Sequence, residues 1–234
     1  MVPSPVNVLQ KKTCEDPLDY LPCSKALEYK KGDVIYGCNQ ACETLYLVLA
    51  GVVKLTRFGR SGKEFLVDLY TVDDIFGGSG ILNIPDRGEE AVSFQRSRLM
   101  VWPSADVEAL IIRRPRLGIA LLQVFGRRLT GLIQRAESLS FEPIDARLAR
   151  TLIRFSDRLG TVQPDGSVIM EPLTHELLAQ YVSTSRELIS VQMANFRRQG
   201  YIKYSRKGIT LYRDALQAWL NEPVATAGSG VCSH

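Results

Sequence analysis

Short apolar runs separated by turn residues dominate the chain as far as about Pro103. Val34-Ile35-Tyr36, Leu45-Tyr46-Leu47-Val48-Leu49 and Val52-Val53-Lys54-Leu55-Thr56-Arg57-Phe58 each read as a strand. The last is entered through Gly51 and left through Gly59-Arg60-Ser61-Gly62. Next, Phe65, Val67 and Leu69 alternate with Leu66, Asp68 and Tyr70, the two-residue period of a strand. Ala91-Val92-Ser93-Phe94 and Leu99-Met100-Val101-Trp102 complete the set. Many short strands with glycine-marked turns predict a sandwich or barrel rather than a parallel sheet.

From Ser104 the period lengthens. Ser104 is placed to cap a short helix running to Arg113, and Pro115 suits the first turn of another. Leu117, Leu121, Phe125, Leu129, Leu132, Ala136 and Leu139 then recur every three or four residues. The stripe is roughly 30 Å long at about 1.5 Å per residue, more than the flank of so small a barrel covers. It predicts a parallel dimer in which the helix meets its twin; the alternative is a helix packed wholly within its own chain. Pro143 ends this helix and marks a hinge. A further helix carries Ala149, Leu152, Ile153, Phe155 and Leu159 on its apolar side and stops at Gly160. The turn Pro164-Asp165-Gly166-Ser167 then makes a hairpin with Val168-Ile169-Met170. The expected fold is α+β, with a jelly-roll barrel over 1–103, a short helix and the long dimer helix over 104–142, and a third domain over 143–222. The tail 223–234 is rich in small residues and expected to fray.

The stretch Thr174 to Tyr204 narrows the third domain. Thr174 suits the N-cap of a helix whose apolar side carries Leu177, Leu178 and Val182. Thr184 followed by Glu187 fits a capping box for a second helix. At about 100° per residue, Arg186, Glu187, Ser190, Val191, Ala194, Arg197 and Arg198 share one arc, and Leu188, Ile189, Met193 and Phe196 the opposite one. One face docks on a core while the other offers Arg, Glu and small residues outward, as a helix entering the major groove of DNA requires. Between Arg186 and Arg213 the bases Arg186, Arg197, Arg198, Lys203, Arg206, Lys207 and Arg213 oppose the single acid Glu187. That local excess matters more for phosphate contact than the overall net charge of +4. Beyond Gly200, Tyr201 to Tyr204 and Ile209 to Tyr212 flank a turn bearing Arg206 and Lys207, the wing of a winged helix. Capping alone also explains Glu187, and helix–turn–helix shapes occur in proteins that contact other proteins.

A chain of 234 residues suits two small domains or one large one. No apolar run approaches the roughly 20 residues of a membrane span, and the N-terminus has no basic-then-apolar leader. Five scattered cysteines form no disulfide framework, so a reducing cytoplasm is the expected home. No Ser/His/Asp or Cys/His arrangement, paired-carboxylate motif or phosphate-binding lysine loop stands out, so no enzyme is expected, and nothing requires a cofactor or metal. The histidines are His175 and His234 alone.

Lys31-Gly32-Asp33, Leu45 to Gly51 followed by Val53-Lys54-Leu55, Asp74-Ile75-Phe76-Gly77 and Ser185-Arg186-Glu187 occur in an order that resembles the CRP/FNR family of bacterial transcription regulators over nearly the whole chain. The resemblance implies a cyclic-nucleotide-binding-like barrel, a dimer helix and a winged helix–turn–helix on a two-fold symmetric double-stranded DNA operator. RNA polymerase is the further partner it implies. By the family pattern Arg186 and Glu187 read base edges; Arg pairs with guanine O6 and N7, and Glu accepts from cytosine N4. Ser190 and Val191 join the base-reading set, Val191 standing where the family usually has a second Arg. Thr174, Ser185, Arg197, Arg198, Lys203, Arg206 and Lys207 are the phosphate candidates. Ser183 replaces the usual turn glycine.

The effector site departs further from the pattern. Cyclic-nucleotide-binding relatives follow Phe-Gly with a Glu for the ribose, then an Arg-Ser pair for the cyclic phosphate. Here Gly78 follows Phe76-Gly77, and alignment on Ala91-Val92 puts Gly88 and Glu89 at the phosphate positions, with Arg87 one register away. A carboxylate repels a phosphate. The candidate pocket is Phe76, Gly77, Gly78, Ser79, Gly80, Arg87 and Glu89, the glycine run being able to offer N–H groups to an anion. The expectation is control by a different ligand or by abundance. Alternatives are a cyclic nucleotide or redox change at Cys38 and Cys42, which flank one turn.

Overall fold

The computed structural model describes residues 14–37, 42–59, 62, 64–82, 88–205 and 208–222. Cys38, Arg87, Arg206, Lys207 and the tail 223–234 lie outside them. A single 3-10 turn at Pro17–Asp19 precedes β1 (Ala26–Tyr29), β2 (Val34–Tyr36), β3 (Thr44–Ala50), β4 (Val53–Phe58), β5 (Glu64–Tyr70), β6 (Ile75–Gly77), β7 (Glu89–Ser93) and β8 (Ser97–Pro103). They form two four-stranded sheets, ordered β1-β8-β3-β6 and β2-β7-β4-β5. The expected barrel is therefore a two-sheet sandwich. Its edge strands β2 and β6 have only three residues each, too short a ladder to stitch one sheet to the other round a closed cylinder.

Aromatic rings fill the space between the sheets. Tyr36 and Tyr70 enter from one sheet, Tyr46 and Phe76 from the other, with centroids 5.0 Å apart for Tyr46–Phe76 and 5.1 Å for Tyr70–Phe76. Strand β3 is buried over four consecutive residues because both of its faces are covered. Tyr46 joins the rings, while Leu45 and Leu47 turn the other way to meet Trp102, Val107, Leu117 and Leu121 in one cluster. Val107 belongs to α1 (Ser104–Arg113), and Leu117 and Leu121 to α2 (Pro115–Phe141). Ser104 does not cap α1: Pro103 holds the cap position, and the Ser104 N–H donates to the Glu43 carbonyl at 2.7 Å.

The dimer stripe expected on α2 needs correction at its N-terminal end. Leu117 and Leu121 are buried in that cluster and Phe125 packs against it. The exposed apolar line instead runs through Ile119, Leu122, Leu129, Leu132 and Ile133, with Ala136 also exposed and Leu139 half-buried. The sheet covers one side of the helix's beginning, so residues four apart on that side are core.

The chain divides into two compact units, one of 1–58 with 68–135 and the other of 59–67 with 136–234, so that one boundary falls in α2 between Arg135 and Ala136. In the second, α3 (Ile144–Leu159) starts directly after Pro143 and β9 (Thr161–Val162) and β10 (Val168–Met170) follow. Then come α4 (His175–Val182), α5 (Arg186–Arg198), β11 (Ile202–Ser205), β12 (Gly208–Leu211) and α6 (Arg213–Asn221). The strands make one sheet, ordered β11-β12-β10-β9. Its core gathers Leu148, Leu152 and Phe155 of α3 with Leu178, Phe196, Ile209 and Leu216, each fully buried. Among the described residues no helix is long and apolar enough to cross a membrane.

Candidate nucleic-acid interface

Two short helices and the turn between them set the exposed basic face. Thr174 caps α4, its Oγ1 accepting the Leu177 N–H at 3.1 Å. Ser183 then takes a left-handed conformation (φ 58°, ψ 57°) and reverses the chain. The Thr184 N–H closes the end of α4 on the Ala179 carbonyl, so the cap of α5 falls one residue later than the capping-box reading places it. Ser185 is that cap, accepting the Leu188 N–H at 3.3 Å. Glu187 is thus in the second helical position, not the third. Its carboxylate accepts from its own N–H and from the Ser185 hydroxyl, which hold its pKa below the usual value.

Ile189, Met193 and Phe196 form the buried edge of α5. Leu188, expected beside them, is 44% exposed, because it lies a full step of about 100° beyond Ile189. Arg186, Glu187, Val191, Ala194, Arg197 and Arg198 face outward together. Ser190 falls within the same arc but is half-buried, its hydroxyl donating to the Arg186 carbonyl at 2.9 Å. Arg198 donates to Asn195 Oδ1 on its own helix at 2.6 Å. In the hairpin of β11 and β12, Ile202 pairs with Leu211 and Tyr204 with Ile209. Ile202, Ile209 and Leu211 point inward, leaving Lys203 and Tyr204 exposed. The Lys203 ammonium sits 5.0 Å over the Tyr212 ring. Between α5 and this hairpin runs an open groove of about 760 Å³, whose lining includes His175, Ser190, Val191, Arg197, Arg198 and Tyr204. His175 and Tyr204 were not among the sequence candidates; an i+15 contact such as His175 to Ser190 has no periodic signal.

The effector candidates are not arranged as an anion cradle. The N–H groups of Gly78 and Gly80 donate to the Thr44 and Cys42 carbonyls, at 2.9 and 3.1 Å, and the Ser79 hydroxyl also faces the Cys42 carbonyl. Gly77 (φ +77°) leaves no room for a side chain: a Cβ would meet the Thr44 carbonyl at 2.5 Å. Phe76 lies in the ring stack, and the Glu89 carboxylate accepts from the Tyr36 hydroxyl at 2.7 Å. Burial, and then the Glu89 charge, push the Tyr36 phenol far up. Cys42 is buried, and burial raises its thiol pKa, the opposite of what a reactive sensor thiol needs. Among the described residues no group of metal-ligating side chains comes together.

A sandwich, a long helix and a winged helix–turn–helix with a basic exposed face define the architecture of a DNA-binding regulator. The cyclic nucleotide-binding domain family matches residues 26–114 and the Crp-like helix-turn-helix domain family residues 146–219, together well over half of the chain. The chain belongs to the CRP/FNR family of transcription regulators. It is 26% identical over 185 residues to the CRP-like cAMP-activated global transcriptional regulator of Mycobacterium tuberculosis, covering 79% of this chain and 83% of that relative. To the global nitrogen regulator of Synechococcus elongatus it is 27% identical over 187 residues, covering 79% and 84%. A CRP/FNR transcriptional regulator of known structure from Thermus thermophilus matches with a TM-score of 0.70 at 26% identity, over 85% of this chain and 99% of that one.

The left-handed Ser183 yields a direct stability prediction. A side chain in that region costs about 1–2 kcal/mol, part of which glycine returns as unfolded-state entropy. Ser183→Gly is therefore expected to stabilise the protein by about 0.5–1 kcal/mol, read as a higher urea midpoint at unchanged slope.

Proposed function

We propose that this regulator works as a homodimer on a two-fold symmetric operator, each α5 entering one of two successive major grooves about 34 Å apart. The observation that carries the reading is the outward cluster of Arg186, Glu187, Val191, Arg197 and Arg198 beside an exposed hairpin. Arg186 pairs with a guanine, Glu187 accepts from a cytosine once it leaves Ser185, and Val191 meets a thymine methyl or nothing. Thr174 and Ser185 use an oxygen lone pair for capping, so the Thr174 hydroxyl proton is able to turn to a phosphate, as is that of Ser185 once Glu187 has left it. Arg197, Arg198, Lys203, Arg206 and Lys207 supply the salt-dependent backbone contacts. Binding at a promoter brings the dimer to RNA polymerase, and the working compartment is the cytoplasm.

Dimerisation is supported by the spacing on α2. Ile119, Leu122, Gly126, Leu129, Ile133 and Ala136 follow alternating steps of three and four, and all are exposed. That seven-residue repeat keeps one seam facing a partner helix.

The controlling signal is something other than a conventionally bound cyclic nucleotide, or the protein's own abundance. This reading is supported by Glu89, held against Tyr36 where the family pattern places a phosphate contact, and by the glycine N–H groups already engaged by carbonyls.

Selection of bound sequences from random DNA tests the central reading: Arg186→Ala is expected to cost about 1–3 kcal/mol per half-site and to relax choice at one base pair. Equal affinity and unchanged choice would remove Arg186 from the groove. Leu129→Glu places a carboxylate in the seam of each helix, and sedimentation should show the dimer dissociation constant rising about a hundredfold or more. Cyclic AMP or cyclic GMP added to the operator complex is expected to leave affinity unchanged; a tenfold gain would reinstate a nucleotide effector.

A further inference from the structure

Ser190 lies about 40° round α5 from Arg186, yet its hydroxyl is engaged inside the protein. Its proton goes to the Arg186 carbonyl at 2.9 Å. Its oxygen lies 2.8 Å from Nδ1 of His175, the first residue of α4. A hydroxyl has one proton to give. With that proton on Arg186, the link to α4 requires a proton on Nδ1, which sets the neutral ring as the Nδ1–H tautomer and leaves Nε2 as an acceptor. Both residues are half-buried and line the groove beside α5.

We propose that His175 is a positioning residue for the recognition helix. Its bridge to Ser190 pins the second turn of α5 to the start of α4 and withdraws the Ser190 hydroxyl from the DNA. Sequence choice then falls to Arg186, Glu187 and Val191, so Ser190 leaves the base-reading set in which its place on the outward arc had put it. The inference rests on the DNA-binding reading and sharpens it. A freely rotating hydroxyl donates or accepts and tolerates several bases, whereas Arg and Glu are directional. Silencing Ser190 raises discrimination by removing the least selective contact on the face.

Two measurements on the full chain test this. Imidazole nitrogen shifts in the ¹⁵N-labelled protein, assigned with a His234→Gln variant, read the tautomer without DNA. An Nδ1-protonated His175 that reverts to the Nε2–H form in Ser190→Ala is expected; Nε2–H in the parent overturns the bridge. Selection from random DNA then compares the parent with Ser190→Ala, His175→Ala and His175→Asn. Ser190→Ala should keep the parent's sequence choice but, having lost the same bridge, fall about five- to tenfold in affinity. His175→Ala should lose about five- to tenfold, the equivalent of one hydrogen bond, and alter the choice at the base pair facing Ser190. His175→Asn, whose amide N–H reaches the same oxygen, should restore both. A change of base choice in Ser190→Ala, or a His175→Ala protein indistinguishable from the parent, overturns the proposal. A parent that enriches no sequence sinks the operator reading instead, and the tautomer still decides the bridge.

Discussion

Burial of Ile189, Met193 and Phe196 along one edge of α5 is the contact on which the exposed face depends. A 13-residue helix is marginal by itself in water, and the bases on its outer side repel one another. Phe196 supplies the anchor: its ring meets Trp219 of α6 at 5.5 Å and Tyr201 at 6.2 Å, both near edge-on. Such pairs contribute about 0.5–1.5 kcal/mol beyond their buried area. Arg213 extends the arrangement by pairing with Asp157 of α3 at 2.7 Å, although both groups are exposed and the pair adds little energy. The result is a helix whose rotation is set from behind, which leaves Arg186 and Glu187 clear of any structural duty in the core.

That dependence explains which features were legible in the chain and which were not. Strand β3 is an unbroken apolar run, and strands β4 and β5 and helices α3 and α5 carry an apolar pattern over six residues or more, so local pattern sufficed. Strand β1 alternates only exposed and half-buried positions, and β6 is three residues long; neither offers a window long enough to show a period. Helix α6 is only nine residues long and of its apolar side chains Leu216 alone is fully buried; its anchoring contacts are to Phe196 and Asp157, distant in sequence. The capping-box pattern misplaces the cap of α5 by one residue because Ser183 in the left-handed region consumes a position that propensity assigns to the helix start. The α2 stripe shows the same limit. Periodicity reveals that Leu117, Leu121 and Phe125 are apolar together, but only the position of strand β3 tells which side of the helix its own chain covers. The alternating three-four steps from Ile119 to Ala136 were present as a signal, hidden beneath the stronger run of leucines.

The sandwich interior bears on control through a different chain of contacts. Tyr36, Phe76 and Tyr70 follow one another across the gap between sheets, with Tyr46 beside them, and the series ends under the Arg128 guanidinium of α2, 4.1 Å from the Tyr70 ring centre. A molecule lodging among these rings has to separate stacked pairs contributing about 0.5–1.5 kcal/mol each, and it must also accommodate the Glu89 carboxylate beside Tyr36. An anionic ligand meets that charge at close range, which is the physical basis for proposing a signal other than a conventionally bound cyclic phosphate. A ligand that does enter by moving Tyr70 also moves the partner of Arg128, one residue before Leu129 on the proposed dimer seam. Coupling between the interior and the helix therefore needs no long relay. It requires only that the two arrangements of one ring differ in how well they hold one guanidinium, since a ligand shifts an equilibrium by no more than its differential affinity for the two states. Cation–π contacts of about 0.5–2 kcal/mol set the scale of that bias, enough for a graded response and well short of an all-or-none switch.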